Sequence, residues 1–364
     1  MDTSDKVKVA LLFGGRSAEH EVSLLSARYV FEALHACGYD VLPLAIGTDG
    51  RWRLCGGNGI PDRAPTAGTE VTFAPGLGGQ LIPLQPGGPP LPVPQVDVVF
   101  PVLHGPFGED GTVQGLLEVA DVPYVGAGVL GSAVAMDKDV AKRLLREAGL
   151  PTPRYLACTP ANAPDFATAC AALGRVVFVK PARLGSSVGV SKADNAEAFS
   201  AALALAFRYD DKVLVEEFVD AREIECAVLE TASGTVASVP GEIVPAASRH
   251  GFYSYEAKYL DDAGAELVLP ADLPDPVAER VRALALQVFA ALDLNGMARV
   301  DFFLKRADND ILVNEANTIP GFTAISMYPK LMAESGVPGP ELAKCLVDRA
   351  FAHWRRKRAM ASTR

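Results

Sequence analysis

The pattern of apolar and polar residues along the chain predicts a mixture of strands and helices. Residues 6–13 are mostly apolar and predict a buried strand, residues 23–37 place apolar side chains at helical spacing, and residues 41–46 predict a second strand. A strand, a helix and a strand in this order form a parallel pair with a right-handed crossover. The chain is therefore predicted to open with an α/β domain, which a buried strand at residues 95–103 continues.

A segment rich in glycine and proline interrupts this pattern. Residues 56–94 contain nine glycines and nine prolines, a composition typical of irregular structure. Short strands at residues 70–74 and 80–84 are the regular elements that its pattern indicates. We interpret the segment as a long surface insertion that carries a small sheet edge.

Helical and strand patterns both continue beyond this insertion. Helices are predicted at residues 112–119 and 129–135, and a clearer one runs from Asp137, its N-cap, to Ala148. Two prolines at positions 151 and 153 then mark a domain boundary. The second half is predicted to contain strands at residues 176–180 and 212–218 around a helix at 195–207, antiparallel strands at 223–229 and 235–244, a helix at 275–292, a hairpin of 297–305 and 311–315, and a terminal helix at 340–357.

Composition narrows the class of protein. The 364 residues include 34 Lys and Arg against 44 Asp and Glu, which gives a net charge of −10 and disfavours a nucleic-acid-binding protein. Residues 1–8 are polar and no long apolar segment follows them of the kind that a signal peptide needs, so we expect no signal peptide. No run of about 18 apolar residues lacks a charge or a helix breaker, so we expect no membrane span. The six cysteines form no C-x-x-C pair, and we expect reduced thiols in a cytoplasmic protein.

A glycine-rich segment at residues 126–131 matches the pattern G-x-G-x-x-G. A dinucleotide site would need a full βαβ unit with an acidic residue at the end of its second strand. Asp137 instead begins a new helix shortly afterwards, and the next predicted strand, residues 154–157, ends in no acidic residue. We therefore interpret the motif as a tight strand-to-helix turn.

Four polar residues on the predicted hairpin form the first candidate site. Arg299 and Asp301 share one face of a strand, because side chains alternate, and Glu315 and Asn317 can share the facing one. Two carboxylates and an amide oxygen are ligands suited to Mg²⁺, and Arg299 indicates that an anion is bound beside them. Exposed ion pairs are the alternative. The apolar residues of both strands favour the metal site, because charges cluster in a buried hairpin only when they are paired or bound.

Three further segments carry candidate chemistry. Lys180 ends an apolar strand and precedes a loop of small residues, 185–189, whose backbone N–H groups can approach phosphate oxygens. His104 follows a buried strand, a place where α/β sheets commonly face ligands. Residues 253–259 are aromatic and charged, and we interpret them as a mobile loop that can close over a site. An ordinary hairpin, a hydrogen-bonded loop histidine and a plain surface loop are the respective alternatives.

These segments occur together in one family. The chain resembles the D-alanine–D-alanine ligases of the ATP-grasp superfamily nearly from end to end. Single motifs occur in other ATP-grasp enzymes, but their joint order is specific to this family. The motifs that match the family are GGRSAEHEVS (14–23), LHGPFGEDG (103–111), MDK (136–138), the loop at 179–189, EAKY (256–259), the strand residues 299–301 and NEANTIPG (314–321).

The resemblance implies a fold of class α/β plus α+β. It implies an amino-terminal parallel-sheet domain (1–136, with the insertion 56–94), a central domain (137–222) and a carboxy-terminal domain (223–364), with ATP between the antiparallel sheets of the last two. It also implies a reaction in which ATP phosphorylates the carboxylate of one D-alanine. The amine of a second D-alanine then displaces phosphate to give D-alanyl-D-alanine, a peptidoglycan precursor. Residues 241–260 would close over the acyl phosphate.

The resemblance also implies roles for individual residues. The positions that match ATP-binding residues are Lys138, Lys180, Ser187, Glu216, Glu217, Phe218, Val219 and Glu223, of which the lysines meet phosphate and Glu223 meets the ribose. Those that match ligands of two Mg²⁺ or Mn²⁺ ions are Asp301, Glu315 and Asn317. Those that match catalytic groups are Glu19, Ser186, Lys258, Tyr259, Arg299 and a backbone N–H near Gly321. Those that match substrate positions are Glu19, His104, Arg299, Gly321, Ser326 and Met327, the last two at the second carboxylate.

Related activities stay open at this point. A ligase that joins D-alanine to D-lactate or another D-residue is the nearest alternative, but Tyr259 argues against it, because the ligases for D-lactate generally lack this tyrosine. Another ATP-grasp carboxylate–amine ligase is a further alternative. An ATP-binding protein without catalysis would have lost metal ligands, and all three are present in the sequence. The resemblance also suggests that the substrates are small molecules and that the protein has no nucleic-acid or membrane partner. It suggests a homodimer formed through the amino-terminal domain. It leaves open whether a monovalent cation is required.

Overall fold

A computed structural model describes residues 6–56, 59–84, 93–245 and 265–360. No helix within these ranges has the length and apolar character needed to cross a membrane. The elements up to residue 147 are β1 (Lys8–Gly14), α1 (His20–Ala36), β2 (Asp40–Ile46), β3 (Trp52–Leu54), β4 (Val71–Phe73), β5 (Leu81–Pro83), β6 (Val98–Val102), α2 (Thr112–Val119), α3 (Val129–Met136) and α4 (Lys138–Glu147). The later elements are β7 (Tyr155–Cys158), α5 (Phe166–Leu173), β8 (Val177–Pro181), β9 (Ser191–Ala193), α6 (Ala196–Ala206), β10 (Val213–Glu217), β11 (Ala221–Thr231), β12 (Gly234–Ala237), β13 (Gly241–Pro245), β14 (Ala265–Val268), α7 (Asp275–Ala291), β15 (Met297–Lys305), β16 (Ile311–Asn317), α8 (Met327–Glu334) and α9 (Gly339–Ala359).

The opening strand–helix–strand unit forms part of a four-stranded sheet of order β3-β2-β1-β6. β1 lies in the centre and pairs in parallel with β2 and β6, whereas β3 pairs antiparallel with β2 at the edge. β1 and β6 are buried nearly throughout, as their continuous apolar sequences predict for a parallel sheet covered on both faces. The predicted parallel α/β sheet is confirmed. α1 begins at His20, earlier than predicted, because its first turn is polar and lies outside the apolar pattern.

The glycine- and proline-rich insertion contains the two predicted short strands, β4 and β5, which pair as an antiparallel hairpin. Its apolar side chains Val71, Phe73 and Leu81 are only 1%, 3% and 0% exposed. They pack with Leu12 and Leu44 against one face of the parallel sheet. The hairpin is therefore part of a hydrophobic core, and the interpretation of the whole segment as a surface insertion is incomplete.

Two antiparallel sheets make up most of the remaining chain. One has the order β7-β10-β8-β9, and the other has the order β14-β13-β11-β15-β16, with β12 also paired to β11. Residues 235–244, predicted as one strand, form two strands, β12 and β13, which both pair with β11. Pro240 lies between them, and proline has no N–H to donate to a strand ladder. The predicted combination of a parallel sheet with two antiparallel sheets is confirmed.

The segment that matches G-x-G-x-x-G forms a tight turn into α3, as predicted. Gly126 has a φ of +101°, a conformation that favours glycine. A Cβ atom at Gly131 would lie 2.6 Å from the carbonyl oxygen of Asp293, so a larger residue would not fit. Backbone conformation and close packing thus account for these glycines.

The last helix, α9, is fixed to β11 by one carboxylate. Glu230 accepts hydrogen bonds from Arg349, from His353 Nε2 at 2.7 Å and from the Gly296 N–H at 3.1 Å. Burial opposes ionisation of Glu230, but these hydrogen bonds outweigh it and lower its pKa to about 2. Ionised Glu230 therefore stabilises the fold fully at pH values above the ordinary pKa of a glutamate, where its carboxyl is ionised in the unfolded chain as well. This stabilisation is lost as the pH falls toward 2.

Glu230→Gln is expected to lower the free energy of unfolding at neutral pH by about 2 kcal/mol. The difference from the unchanged protein should shrink as the pH is lowered from about 5 toward 2, because the carboxylate becomes protonated. Urea denaturation of both proteins at several pH values measures this difference in the free energy of unfolding. Glu279→Gln is the matched control, because Glu279 is 69% exposed and pairs with Arg282 on the surface of α7. A difference that stayed constant down to pH 2 would contradict the role of ionised Glu230.

Candidate active site

A cavity of about 360 Å³ lies between the two antiparallel sheets. This volume is within the range of small-molecule sites, which is about 300–1,000 Å³. Segments that are far apart in the sequence meet at its walls. The lining includes every residue predicted to bind ATP, the loop serine and one predicted metal ligand: Lys138, Lys180, Ser187, Glu216, Glu217, Phe218, Val219, Glu223, Ser186 and Glu315.

Two lysines share one buried carboxylate beside this cavity. Lys180 Nζ on β8 lies 2.5 Å from Glu216 Oε2 on β10, and Lys142 Nζ on α4 lies 2.8 Å from Glu216 Oε1. Burial lowers the pKa of Lys142 to about 8, although Glu216 favours its charged form. Burial also opposes ionisation of Glu216, but the two lysines hold its pKa below the usual value. The Lys180 side chain is thereby held by Glu216 at the cavity wall.

The loop of small residues after β8 has a strained backbone. Ser186 and Ser187 have φ values of +51° and +59°, which residues other than glycine rarely adopt. Such strain is concentrated at functional sites, and loops of this kind can direct N–H groups toward an anion. Lys138, at the start of α4, donates from Nζ to the Leu184 carbonyl at 2.6 Å and lies 3.3 Å from Glu315 Oε2. Lys138 therefore joins the loop to the carboxylate hairpin.

Glu19, the residue before α1, reaches the same loop from the amino-terminal part of the chain. Ser186 Oγ donates a hydrogen bond to Glu19 Oε1. Two glycines make room for this carboxylate, because a Cβ atom would lie 2.7 Å from Oε2 at Gly105 and 3.2 Å from it at Gly185. The structure thus brings together Glu19 and Ser186, two of the residues that the resemblance implies are catalytic.

The predicted lid, residues 241–260, is described only as far as the end of β13 at residue 245. Lys258 and Tyr259 therefore lie outside the described residues. The roles implied for both, and for closure of this segment, stay predictions.

The predicted metal hairpin consists of β15 and β16, in which Asp301 and Glu315 are directly opposite each other. Arg299 donates from Nε and Nη2 to the two oxygens of Asp301, at 2.7 Å each, as expected for residues on one strand face. Asn317 Nδ2 donates to Asp301 Oδ2 at 3.0 Å. Glu225 on β11 is opposite Asp301 on the other side and lies 3.0 Å from Arg299 Nε. Three carboxylates therefore lie in a row across three strands, with the arginine among them.

These oxygen atoms suit a divalent cation. Among the residues that the structure describes, no three His, Cys, Asp or Glu side chains converge as a ligand cluster. A Mg²⁺ site does not require such a cluster, because Mg²⁺ is usually held by one or two carboxylates together with waters and substrate phosphates. Asp301, Glu315 and the amide oxygen of Asn317 supply a set of this kind, and Lys138 lies beside Glu315 at the cavity. The donor set therefore fits the predicted metal.

His104 and Glu109 both hold the segment that follows β16. His104 is 4% exposed; its Nδ1 lies 2.9 Å from the Ile319 carbonyl oxygen and its Nε2 lies 3.1 Å from Ser26 Oγ. Burial lowers the pKa of His104. Glu109 Oε1 accepts the Ile319 N–H at 3.0 Å, and desolvation together with the charge of Glu19 raises the pKa of Glu109 to about 8. His104 thus has the partners of a hydrogen-bonded loop histidine, and its place beside the first D-alanine stays a prediction.

The residues predicted at the second substrate lie together at the start of α8. Ser326 is the N-cap residue of α8, and its Oγ accepts the Thr323 N–H at 3.0 Å. Met327 is the first residue of the helix and is 4% exposed. A Cβ atom at Gly321 would lie 2.9 Å from Ser326 Oγ, so Gly321 approaches the same point.

The predicted adenine segment follows β10. The ring of Phe218 is 44% exposed and lies 6.2 Å from that of Phe178 at an angle of 29°. Lys192 Nζ lies 4.6 Å from the centre of the Phe218 ring. The side chain of Glu217 pairs with Arg154 Nε at 2.6 Å, and the Glu217 N–H donates to the Arg154 carbonyl oxygen at 3.0 Å. An exposed aromatic ring at the cavity wall suits a planar base.

Three side chains of this site were not predicted, and two of them had a signal in the sequence. Lys142 follows Lys138 by four residues in a helix, and Glu225 follows Glu223 by two residues in a strand, so each lies on the same face as a predicted residue. Glu109 belongs to a recognised motif, but its contact spans 210 residues of sequence, and no local pattern indicates it.

Comparison with known proteins agrees with this geometry. The family described as D-ala D-ala ligase N-terminus matches residues 8–127, and the family described as D-ala D-ala ligase C-terminus matches residues 144–348. The chain is 54% identical over 357 residues to D-alanine--D-alanine ligase A of Mesorhizobium japonicum, with 96% of this chain and 99% of that protein covered. It is 53% identical to D-alanine--D-alanine ligase B of Bradyrhizobium diazoefficiens, with 98% and 96% covered.

Solved structures show the same fold. The D-alanine-D-alanine ligase from Coxiella burnetii matches with a TM-score of 0.82 and 35% identity over 97% of both chains. The VanG D-Ala:D-Ser ligase from Enterococcus faecalis matches with a TM-score of 0.81 and 32% identity over 95% of this chain and 100% of that chain. From its sequence, its sheets and its cavity, the chain belongs to the D-alanine–D-alanine ligase family and has the ATP-grasp fold of that family.

Proposed function

We propose that this protein joins two molecules of D-alanine into D-alanyl-D-alanine and converts ATP to ADP and phosphate in the same reaction. The product is a precursor of peptidoglycan. The observation that carries the proposal is the cavity between the two antiparallel sheets. Lys138, Lys180 and Glu315 line it together, and Lys138 Nζ lies 3.3 Å from Glu315 Oε2. Membership of the family makes D-alanine the expected substrate at both positions.

In the first step, a carboxylate oxygen of one D-alanine forms a bond to the γ-phosphorus of ATP while the bond to ADP breaks. Phosphoryl transfer depends on positioning and on neutralising charge more than on a covalent nucleophile. Lys138 and Lys180 line the cavity and are proposed to neutralise phosphate charge. Asp301, Glu315 and Asn317 would hold divalent ions, Mg²⁺ or Mn²⁺, which when bound neutralise charge on phosphate oxygens.

In the second step, the neutral amine of the second D-alanine attacks the acyl carbon, phosphate leaves with the bonding electrons, and the amine nitrogen loses a proton. Arg299 and the N–H near Gly321 are proposed to stabilise the oxyanion, because fixed donors act where charge develops. Glu19 and Ser186, which are hydrogen-bonded to each other, are proposed to relay the proton together with Tyr259.

The remaining predicted residues complete this proposal. Lys258 would neutralise the transferred phosphoryl group, and residues 241–260 would close over the acyl phosphate and exclude water. Residues 1–136, 137–222 and 223–364 are proposed as the three domains. The other proposed contacts are those of Glu216, Glu217, Phe218 and Val219 with adenine, Glu223 with ribose, Ser187 with phosphate, Glu19 and His104 with the first D-alanine, and Ser326 and Met327 with the second carboxylate.

The cellular setting is also proposed from the family resemblance. We expect a homodimer formed through the amino-terminal domain, which light scattering after size-exclusion chromatography would measure. All six cysteines are free thiols, which supports a reducing compartment such as the cytoplasm, where ATP is available.

The purified protein is expected to release ADP and phosphate only when Mg²⁺ and D-alanine are both present, and to form D-alanyl-D-alanine. Chelation of the metal should stop the reaction, because the carboxylate hairpin needs a cation to engage phosphates. L-alanine is the control substrate, and equal turnover with it would contradict the assignment of D-alanine.

The same assay separates the alternative ligases. D-lactate or D-serine is added as the second substrate at equal concentration with D-alanine, and the products are separated by mass. We expect the dipeptide of D-alanine to dominate, in agreement with Tyr259 in the EAKY motif. A dominant D-alanyl-D-lactate or D-alanyl-D-serine product would assign the corresponding alternative activity.

A further inference from the structure

The segment between β16 and α8, residues 318–326, contains Gly321 and forms no helix or strand of its own. Side chains of the amino-terminal part of the chain fix its backbone instead. The Ile319 N–H donates to Glu109 Oε1 at 3.0 Å, and the Ile319 carbonyl oxygen accepts from His104 Nδ1 at 2.9 Å. Both polar backbone groups of Ile319 are therefore held from outside the segment.

Phe322, on the other side of Gly321, is held through its backbone and through its ring. Its N–H donates to Ser26 Oγ at 3.2 Å, and the same oxygen lies 3.1 Å from His104 Nε2. Its ring is 2% exposed and packs edge-on against Phe100 at 6.2 Å. Gly321 thus lies between two anchored residues.

The side chains that hold the segment are themselves fixed. Ser26, in α1, is 0% exposed, and Glu109 accepts the Gly105 N–H at 2.8 Å with its second oxygen, Oε2. The three bonds that reach Ile319 and Phe322, from His104, Glu109 and Ser26, cross from the amino-terminal domain to the carboxy-terminal one and end on main-chain groups. Such bonds determine the path of the main chain, whereas contacts between apolar side chains would leave it free to shift.

We propose that Ser26 and Glu109 are positioning residues that set the direction of the Gly321 N–H. The inference rests on the proposed function, since this N–H is the proposed oxyanion donor of the second step. Arg299, the other donor, is held separately by Asp301 at 2.7 Å. Loss of either positioning residue would weaken a hydrogen bond that forms only as charge develops, and would therefore lower kcat without weakening ATP binding.

Ser26→Ala tests this inference, because it removes the acceptor of the Phe322 N–H. The kcat for D-alanyl-D-alanine formation is expected to fall about tenfold, with the KM for ATP unchanged. Ser23→Ala is the matched control: Ser23 lies one turn earlier in α1, is also 0% exposed, and bonds to Gly14 and Val102 within its own domain. It should lose comparable thermal stability and keep kcat within about twofold.

Glu109 provides a second, independent test. Glu109→Gln keeps the length and one acceptor oxygen, whereas Glu109→Ala removes both acceptors. We expect kcat to fall in both variants, and by about tenfold more in the alanine variant, because glutamine can retain one of the two backbone bonds. A purely structural role would lower the thermal midpoint and would leave the kcat of the folded fraction unchanged.

The outcomes separate this inference from the proposed function. Equal kcat values for Ser26→Ala and Ser23→Ala, or a raised KM for ATP at unchanged kcat in the Ser26 and Glu109 variants, would overturn the positioning role alone. Failure of the unchanged protein to form D-alanyl-D-alanine would overturn the proposed function, and the positioning role with it. A tenfold kcat loss confined to the Ser26 and Glu109 variants would support the inference.

Discussion

Glu315→Gln is expected to reduce turnover with ATP and D-alanine about a thousandfold while leaving the fold intact. Glu315 lies opposite Asp301 on the β15–β16 hairpin and 3.3 Å from Lys138 Nζ. Glutamine keeps the size of the side chain and one oxygen but removes the negative charge, and Mg²⁺ is bound in proteins chiefly through anionic oxygens. The initial rate of ADP release across a titration with Mg²⁺ measures the effect.

Asp310→Asn is the matched control for this experiment. Asp310 lies at the turn of the same hairpin, is 55% exposed and pairs with Lys305 at 3.4 Å. The chemical change is the same, a carboxylate to an amide, but it is far from the cavity, so turnover and thermal midpoint should both be retained. If Glu315→Gln had the turnover of the unchanged protein, Glu315 would be removed from the proposed metal ligands.

Lys180→Met is expected to lower kcat/KM for ATP about a hundredfold. The side chain of Lys180 is only 10% exposed, lines the cavity and is held at 2.5 Å by Glu216. Methionine has a similar length, so the variant removes the cation and leaves little empty volume. The charge that develops on the transferred phosphate would then lose one of its fixed partners.

Lys142→Met is the control, because it breaks the other half of the same buried ion pair. The side chain of Lys142 is 1% exposed and contacts Glu216 at 2.8 Å. Each variant leaves Glu216 with one cationic partner, so both should lower the free energy of unfolding by a similar amount, about 2 kcal/mol. Only Lys180→Met should lower kcat/KM for ATP. An equal loss of kcat/KM in both variants would assign the effect to the buried ion pair instead of the cation at the cavity.

Features that depend on neighbouring positions in the sequence were predictable. The apolar runs of β1 and β6 predict a covered parallel sheet, and the two-residue period of a strand places Arg299 and Asp301 on one face, where the structure shows them bonded. The Asp137 N-cap of α4 was likewise readable, because a short acceptor before a helical pattern is a local signal. The break at Pro240 was also visible in the sequence, although residues 235–244 were predicted as one strand.

Contacts between distant segments were not predictable from local patterns. The bond of Glu109 to Ile319 and the pairing of Glu225 with Arg299 depend on how the sheets are arranged, which no period in the sequence records. The positive φ values of Ser186 and Ser187 are likewise imposed by the surroundings, since serine has no intrinsic preference for them. For these residues the motif indicates a site, and only the fold gives the geometry.

The β4–β5 hairpin divides the glycine- and proline-rich insertion into parts with different tolerance to change. Val71, Phe73 and Leu81 fill space against the parallel sheet, so these positions must stay apolar. Lengthening a connecting loop is far less costly, at about 0.6 kcal/mol for each doubling of its length. Residues 66–68, which precede the hairpin and are exposed, are therefore a suitable point at which a reporter peptide can be inserted within the chain, provided that the hairpin itself is kept.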